Sequence, residues 1–202
     1  MAQHAADTAK FVDDFIARVF ECLKTLSREE VASASDLLME AYQAGARIYV
    51  LGNGGSLSLA THWVADFNKT VFSPTLDPDR PRFRAIRVPT TEEELTAWGN
   101  DVGYDMVFAG PLANYLERGD VVIAISSSGN SPNVIKAVEL AKARGNRVIG
   151  VSGFDGGELN KLADVKILVQ TEKGEYEVVE SAHATVLHIL TKYFKGRFSQ
   201  PQ

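Results

Sequence analysis

The sequence predicts an α/β fold, a three-layer α/β/α sandwich around a central parallel sheet with two helices leading the chain. Three observations point there. Short runs rich in β-branched residues alternate with stretches of helical periodicity, the pattern of a parallel sheet covered on both faces. Two of those runs end abruptly in loops of glycine, asparagine and serine. The chain has 202 residues, 45% hydrophobic and 23% charged, enough to bury one core and close to the size of a single domain.

The elements follow in order. Phe11, Phe15, Val19, Cys22 and Leu23 fall three and four residues apart, which one face of a helix over residues 8–26 collects. A second helix runs from about Glu29 to Ala44, opened by a Ser27 cap with Glu29 and Glu30 behind it and stopped by Gly45. The period then shortens: Arg47 to Leu51 reads as a strand that feeds Gly52-Asn-Gly-Gly-Ser56. Arg84 to Val88 is a further strand, and Val121 to Ile125 another, running into Ser126-Ser-Ser-Gly-Asn-Ser131 and a helix from Pro132 to about Arg144. Proline suits that first turn, where its missing N–H is not needed. Arg147 to Val151 and Val165 to Val169 complete the strands. A final helix from about Tyr176 to Phe194 carries Val179, Ala182, Val186, Leu187, Leu190 and Tyr193 as an apolar stripe. Phe72 to Pro81 holds three prolines and reads as a loop, a rim or lid. No internal repeat or interdomain linker breaks the pattern, so residues 1–202 form one domain.

Charge and cysteine content narrow the function. Twenty-one basic against 26 acidic side chains give a net charge of −5, which provides no overall field for nucleic acid or an anionic membrane. The lone cysteine, Cys22, builds neither an intrachain disulfide framework nor a cysteine zinc site, so a reduced, cytoplasmic setting is expected. The leading residues contain no apolar h-region and no stretch approaches 18 apolar residues, so neither secretion nor membrane insertion is expected.

Five places carry candidate chemistry. Ser126 to Ser131 lies where a strand ends and a helix begins, and the unpaired N–H groups and positive end of a helix attract anions there. Small neutral hydroxyls suit a dianionic phosphate; the plainer reading is that Asn130 or Ser131 caps the helix. The Asn53-Gly54-Gly55-Ser56 loop has the same placement and reads equally as a strand-to-helix turn. His62 and Asp66, four apart on the next helix, share a face usable for a metal or for base catalysis, and also for an ordinary surface pair. Glu180, His183 and His188 lie on an otherwise apolar helix, where burial is costly without partners; His183 reads best as a satisfied core histidine. Asn100-Asp101, beside Trp98-Gly99, reads at least as well as a turn or cap.

Taken together, Leu51-Gly-Asn-Gly-Gly-Ser56, the His62 helix, Gly99-Asn-Asp101, Ile125 to Ser131, Gly153-Phe-Asp-Gly-Gly157 and the late His188 resemble the sugar isomerase (SIS) domain family, with a flavodoxin-like sheet, and within it the phosphoheptose isomerases. The resemblance implies a phosphate cradle of Ser126, Ser127, Ser128 and Ser131, with Asn53, Gly54, Gly55, Ser56, Asp101 and Glu180 around the substrate. It implies one zinc ion per subunit on His62, Asp66, Glu180 and His188, with Asp66 and His188 also catalytic. Asp66 stands where these isomerases carry a glutamate, and Glu180 where they carry a glutamine. A related branch keeps the fold without the catalytic set, as a sugar-phosphate-binding regulator or replication-initiation adaptor; His62 and His188 point to the enzyme branch. The resemblance also implies a homo-oligomer, a tetramer using residues 1–45 in its packing. Glu180 and His188 are eight residues apart, about 12 Å along a helix at about 1.5 Å per residue, while zinc reaches its ligands at about 2 Å. The two are therefore expected to meet in one site from different chains, or through a bend in the helix.

Overall fold

The computed structural model describes residues 2–72 and 80–199, with the side chains of residues 2–5 excluded. Most of the expected rim or lid loop, residues 73–79, lies outside the described residues. Helices α1 (Ala2–Lys24) and α2 (Arg28–Ala44) lead into β1 (Arg47–Gly52) and α3 (Gly54–Asn68). Then come β2 (Arg84–Arg87), α4 (Glu92–Asp101), α5 (Ala109–Tyr115), β3 (Val121–Ser126), α6 (Pro132–Ala143), β4 (Arg147–Phe154), α7 (Gly157–Leu162), β5 (Val165–Gln170) and α8 (Tyr176–Phe198).

All five strands are parallel in the order β2-β1-β3-β4-β5. Strand alternation explains why both faces are covered. Ile48 and Val50 of β1 and Val121, Ile123 and Ile125 of β3 point into one core, made with Leu38 of α2, Trp63 and Phe67 of α3 and Val186, Leu190 and Phe194 of α8. Tyr49, Leu51, Val122 and Ala124 point the other way, into a core closed by Leu112 of α5, Val134 and Val138 of α6 and Leu159 of α7. The chain reverses its direction of travel across the sheet between β1 and β3, and in open parallel sheets the crevice at that point, beyond the strands' carboxyl ends, receives ligands. The two glycine-serine loops emerge there.

The Ser27 cap forms, its side chain accepting the Glu30 N–H at 3.1 Å, and Gly45 ends α2 in the left-handed region at φ 63°. Two expected core residues do not pack: Phe15, Val19, Cys22 and Leu23 of α1 turn inward whereas Phe11 is 68% exposed, and on α8 Tyr193 is 48% exposed. The start of α1 overhangs the layer it packs on, and no described residue covers that turn. The Trp98 to Asp101 stretch, expected as a turn or cap, is the last turn of α4. That helix is opened by Thr91, whose hydroxyl accepts the Glu94 N–H at 3.1 Å, and none of its residues is buried.

Candidate active site

The loop after β3 is held from below. Its Gly129 has φ 64°, and a Cβ there would overlap the Gly156 carbonyl, so only glycine permits the approach of the two loops. The end of β4 and the start of α7 grip it at three points, and Asn130 ties the loop to itself at a fourth. Gly153 N–H donates to Ser127 O at 3.0 Å and Leu159 N–H to Gly129 O at 2.9 Å. Glu158 N–H donates to Asn130 Oδ1 at 3.0 Å, and Asn130 Nδ2 to Ser128 O at 2.9 Å. Asn130 is thus a brace to the first turn of α7 and not the cap of α6. Ser131 makes no side-chain cap bond to α6, its hydroxyl lying 3.2 Å from that of Ser126.

Above this loop is a cup of about 160 Å³ lined by Asn53, Ser56, Ile125, Ser126, Ser127, Ser128, Ser131, Tyr176 and Glu180. Three helices begin at its wall: α3 just after Asn53, α6 just after Ser131 and α8 at Tyr176. Each start presents unpaired N–H groups and a partial positive charge. Among the described residues no lysine or arginine lines the cup, so its pull on an anion comes from helix ends and hydroxyls. Asn53 is fixed by two partners: it exchanges hydrogen bonds with Asn133 at 2.8 and 2.9 Å and accepts from the Tyr104 hydroxyl at 3.1 Å. Asn133 and Tyr104 were not legible as site residues; Asn133 directly follows the proline that opens α6, the one local signal it offered.

Gly54 and Gly55 open α3, and the Glu180 carboxylate lies so close over Gly55 that a Cβ there would overlap it. Glu180 also borders a second pocket with Gly55, Ser56, Ser58, Leu59, His62, His183 and Ala184. Sharing Ser56 and Glu180, the two pockets adjoin. His62, Asp66 and His188 come together, their ligand atoms all within 4.8 Å of one another. His62 Nε2 lies 3.8 Å from Asp66 Oδ2, and the two imidazole centroids are 5.1 Å apart. Both histidines are exposed and Asp66 is buried. Within one chain Glu180 does not join this group. Asp101 does not line the cup either; it is exposed at the end of α4, accepting from Asn100 Nδ2 at 2.7 Å.

Two further side chains frame α8. Arg18 of α1 donates to Glu175 from Nε at 2.8 Å and from Nη2 at 2.6 Å, and Glu172 N–H donates to the same carboxylate at 2.8 Å. The Arg18 bonds hold the Glu175 carboxyl below its ordinary range and fix the residue from which α8 starts. His183 is fully buried with no hydrogen bond to either ring nitrogen, so the expectation of a satisfied core histidine is corrected: the ring is in the core but unpaired. Burial pushes its pKa down from 6.5 to about 4, outweighing a smaller opposing effect of the Ser152 backbone.

The chain belongs to the SIS domain family, which matches residues 10–153. Its relatives place it, within that family, among the phosphoheptose isomerases. It is 38% identical over 160 residues to the phosphoheptose isomerase of Citrifermentans bemidjiense, covering 79% of this chain and 80% of that one. Against the enzyme of Geobacter sulfurreducens it is 34% identical over 192 residues, covering 92% and 98%. The structure of phosphoheptose isomerase from Neisseria gonorrhoeae superposes with a TM-score of 0.81 at 28% identity, over 97% of this chain and 100% of that one. The expected fold class and enzyme class agree with these findings.

Proposed function

We propose that the chain interconverts sedoheptulose 7-phosphate and glycero-manno-heptose 7-phosphate through an enediol. The observation that carries this reading is the cup. Three helix starts and the hydroxyls of Ser56, Ser126, Ser127, Ser128 and Ser131 converge on a volume without a cationic side chain, and it adjoins a group of two histidines and a carboxylate. The first feature suits a dianionic phosphate. The second suits proton transfer between neighbouring carbons. In the ketose-to-aldose direction a base takes the C1 proton, the enediol forms, and an acid delivers a proton to C2 while the C1 oxygen becomes the aldehyde. Asp66 and His188 are assigned these two tasks. Asn53, held by Asn133 and Tyr104, orients the sugar.

His62, Asp66 and His188 also fit a zinc ion: nitrogen and carboxylate donors are its usual ligands, and tetrahedral donors at about 2.1 Å from zinc lie roughly 3.4 Å from each other. Rotation of the exposed imidazoles covers that contraction from 4.8 Å. Bound there, the metal would polarise a substrate carbonyl. Glu180 is assigned as a further ligand contributed by a neighbouring chain, which makes the site shared. Support comes from the separation of Glu180 and His188 along α8, eight residues or about 12 Å. The exposed apolar face of α1, with Phe11, Val12, Ile16 and Phe20, supports helices 1–45 as the packing surface of a homotetramer. Among the described residues no helix is long and apolar enough to cross a membrane, and the free buried Cys22 supports a cytoplasmic location.

Calorimetry with sedoheptulose 7-phosphate and with sedoheptulose tests the reading. Binding that depends on the phosphate, abolished by Ser128→Asp through like-charge repulsion, is expected; equal affinity for both sugars contradicts it.

A further inference from the structure

Among the described residues Tyr176 is the one aromatic side chain on the wall of the cup. It occupies the first position of α8, stays half-exposed, and no described residue hydrogen-bonds its hydroxyl. Its ring is not free to drift: Phe154 meets it edge to face, centroids 5.1 Å apart with the planes at 77°. Phe154 is the only non-glycine among the described residues with positive φ, at 53°, a conformation that costs a bulky side chain energy and persists only where its surroundings impose it. The same residue ends β4 just before the Asp155-Gly156-Gly157 turn that braces the serine loop. One strained residue therefore fixes both the floor of the cup and the aromatic ring at its rim.

We infer that Tyr176 is a substrate-binding residue, its phenol donating a hydrogen bond to the phosphate opposite the serine loop, and that Phe154 is the positioning residue that aims it. The chemistry follows from what the cup lacks. With no lysine or arginine and with the Glu180 carboxylate on the same wall, an anion there needs every neutral donor available. A phenol is the strongest hydroxyl donor among side chains, and a hydrogen bond to a charged acceptor is roughly twice as strong as a neutral one. A half-exposed ring at the rim can donate without sealing the entrance. The inference rests on the phosphate reading of the cup, and not on the identity of the sugar.

The test is calorimetric titration of the full chain with inorganic phosphate and with sedoheptulose 7-phosphate, alongside thermal unfolding. Tyr176→Phe keeps the ring and its contact with Phe154, and is expected to weaken both ligands by about tenfold or more with Tm unchanged. Phe154→Leu is expected to weaken both by a few-fold in the wild-type background and to add nothing in a Tyr176→Ala background, a non-additivity that a purely structural role would not produce. Tyr176→Phe binding both ligands like wild type overturns the assignment of Tyr176. Additive effects of Phe154→Leu overturn that of Phe154. If the wild type binds inorganic phosphate in a Tyr176-dependent way but does not convert the heptose phosphate, the inference stands and the proposed substrate falls. Conversion of the heptose phosphate with no dependence on Tyr176 leaves the substrate in place and overturns the inference.

Discussion

His183 makes the fold sensitive to acid by an amount that its burial fixes. The ring is neutral in the native state down to about pH 4, whereas in the unfolded chain it takes up a proton below about 6.5. Between those values the unfolded state binds more protons, so stability is complete above pH 6.5 and is lost as pH falls toward 4. A pKa lowered from 6.5 to about 4 corresponds to about 3 kcal/mol in all, most of which is lost between pH 7.5 and 4.5. The perturbation is His183→Met, close in volume and without a titrating group; its cost at pH 7.5 should stay within about 1.5 kcal/mol. Urea unfolding followed by circular dichroism at the two pH values, at one protein concentration, gives each protein's loss. Carboxylates contribute to both and cancel in the difference, so wild type should lose about 2 to 3 kcal/mol more than the variant. Equal losses would mean that the ring is charged or hydrogen-bonded in the native state, and the reasoning would fail.

Gly129→Ala should bind sedoheptulose 7-phosphate about a hundredfold more weakly, because the new Cβ forces the serine loop off the Gly156 carbonyl; titration calorimetry reads the change. Glu180→Gln removes a negative charge from the wall of the phosphate cup and should lower KM several-fold, measured by steady-state kinetics. Arg18→Gln frees Glu175 and the start of α8, and should raise KM more than it lowers kcat while Tm falls by only a few degrees. Glu180→Ala and His188→Ala, each inactive alone, should regain part of the activity when refolded together, since one shared site then carries neither change; a mixed oligomer that stays dead places both residues in one chain's site.

The strands were legible because each couples a β-branched run to a glycine or charge boundary, and their alternation with helices made the sheet parallel, though not its order. The serine loop was legible for the same reason. Helix α4 was not: none of its residues is buried, so it leaves no apolar period to read. Helices α5 and α7, at seven and six residues, are too short to show one. The four-residue spacing of His62 and Asp66 placed them on one face, but the approach of His188 from α8 depends on how α3 and α8 cross, which no local pattern encodes. The same is true of Tyr104 and Asn133 on Asn53, of Arg18 on Glu175, and of the Phe154 ring against Tyr176. The solitude of His183 was hidden for another reason: its helix position foretold burial, but the absence of a partner is a property of the opposite layer.

The most direct measurement of the central claim is nuclear magnetic resonance of sedoheptulose 7-phosphate incubated with the protein in deuterium oxide. An enediol route requires an aldose 7-phosphate to accumulate with deuterium at C2, delivered by the acid that completes the transfer, and requires Asp66→Asn and His188→Ala to suppress it by about a hundredfold or more. An aldose carrying no solvent deuterium at C2 would be compatible only with transfer of the original hydrogen and would contradict the assigned exchange of protons at Asp66 and His188. A substrate left unchanged by metal-replete wild-type protein would contradict the proposed isomerisation itself.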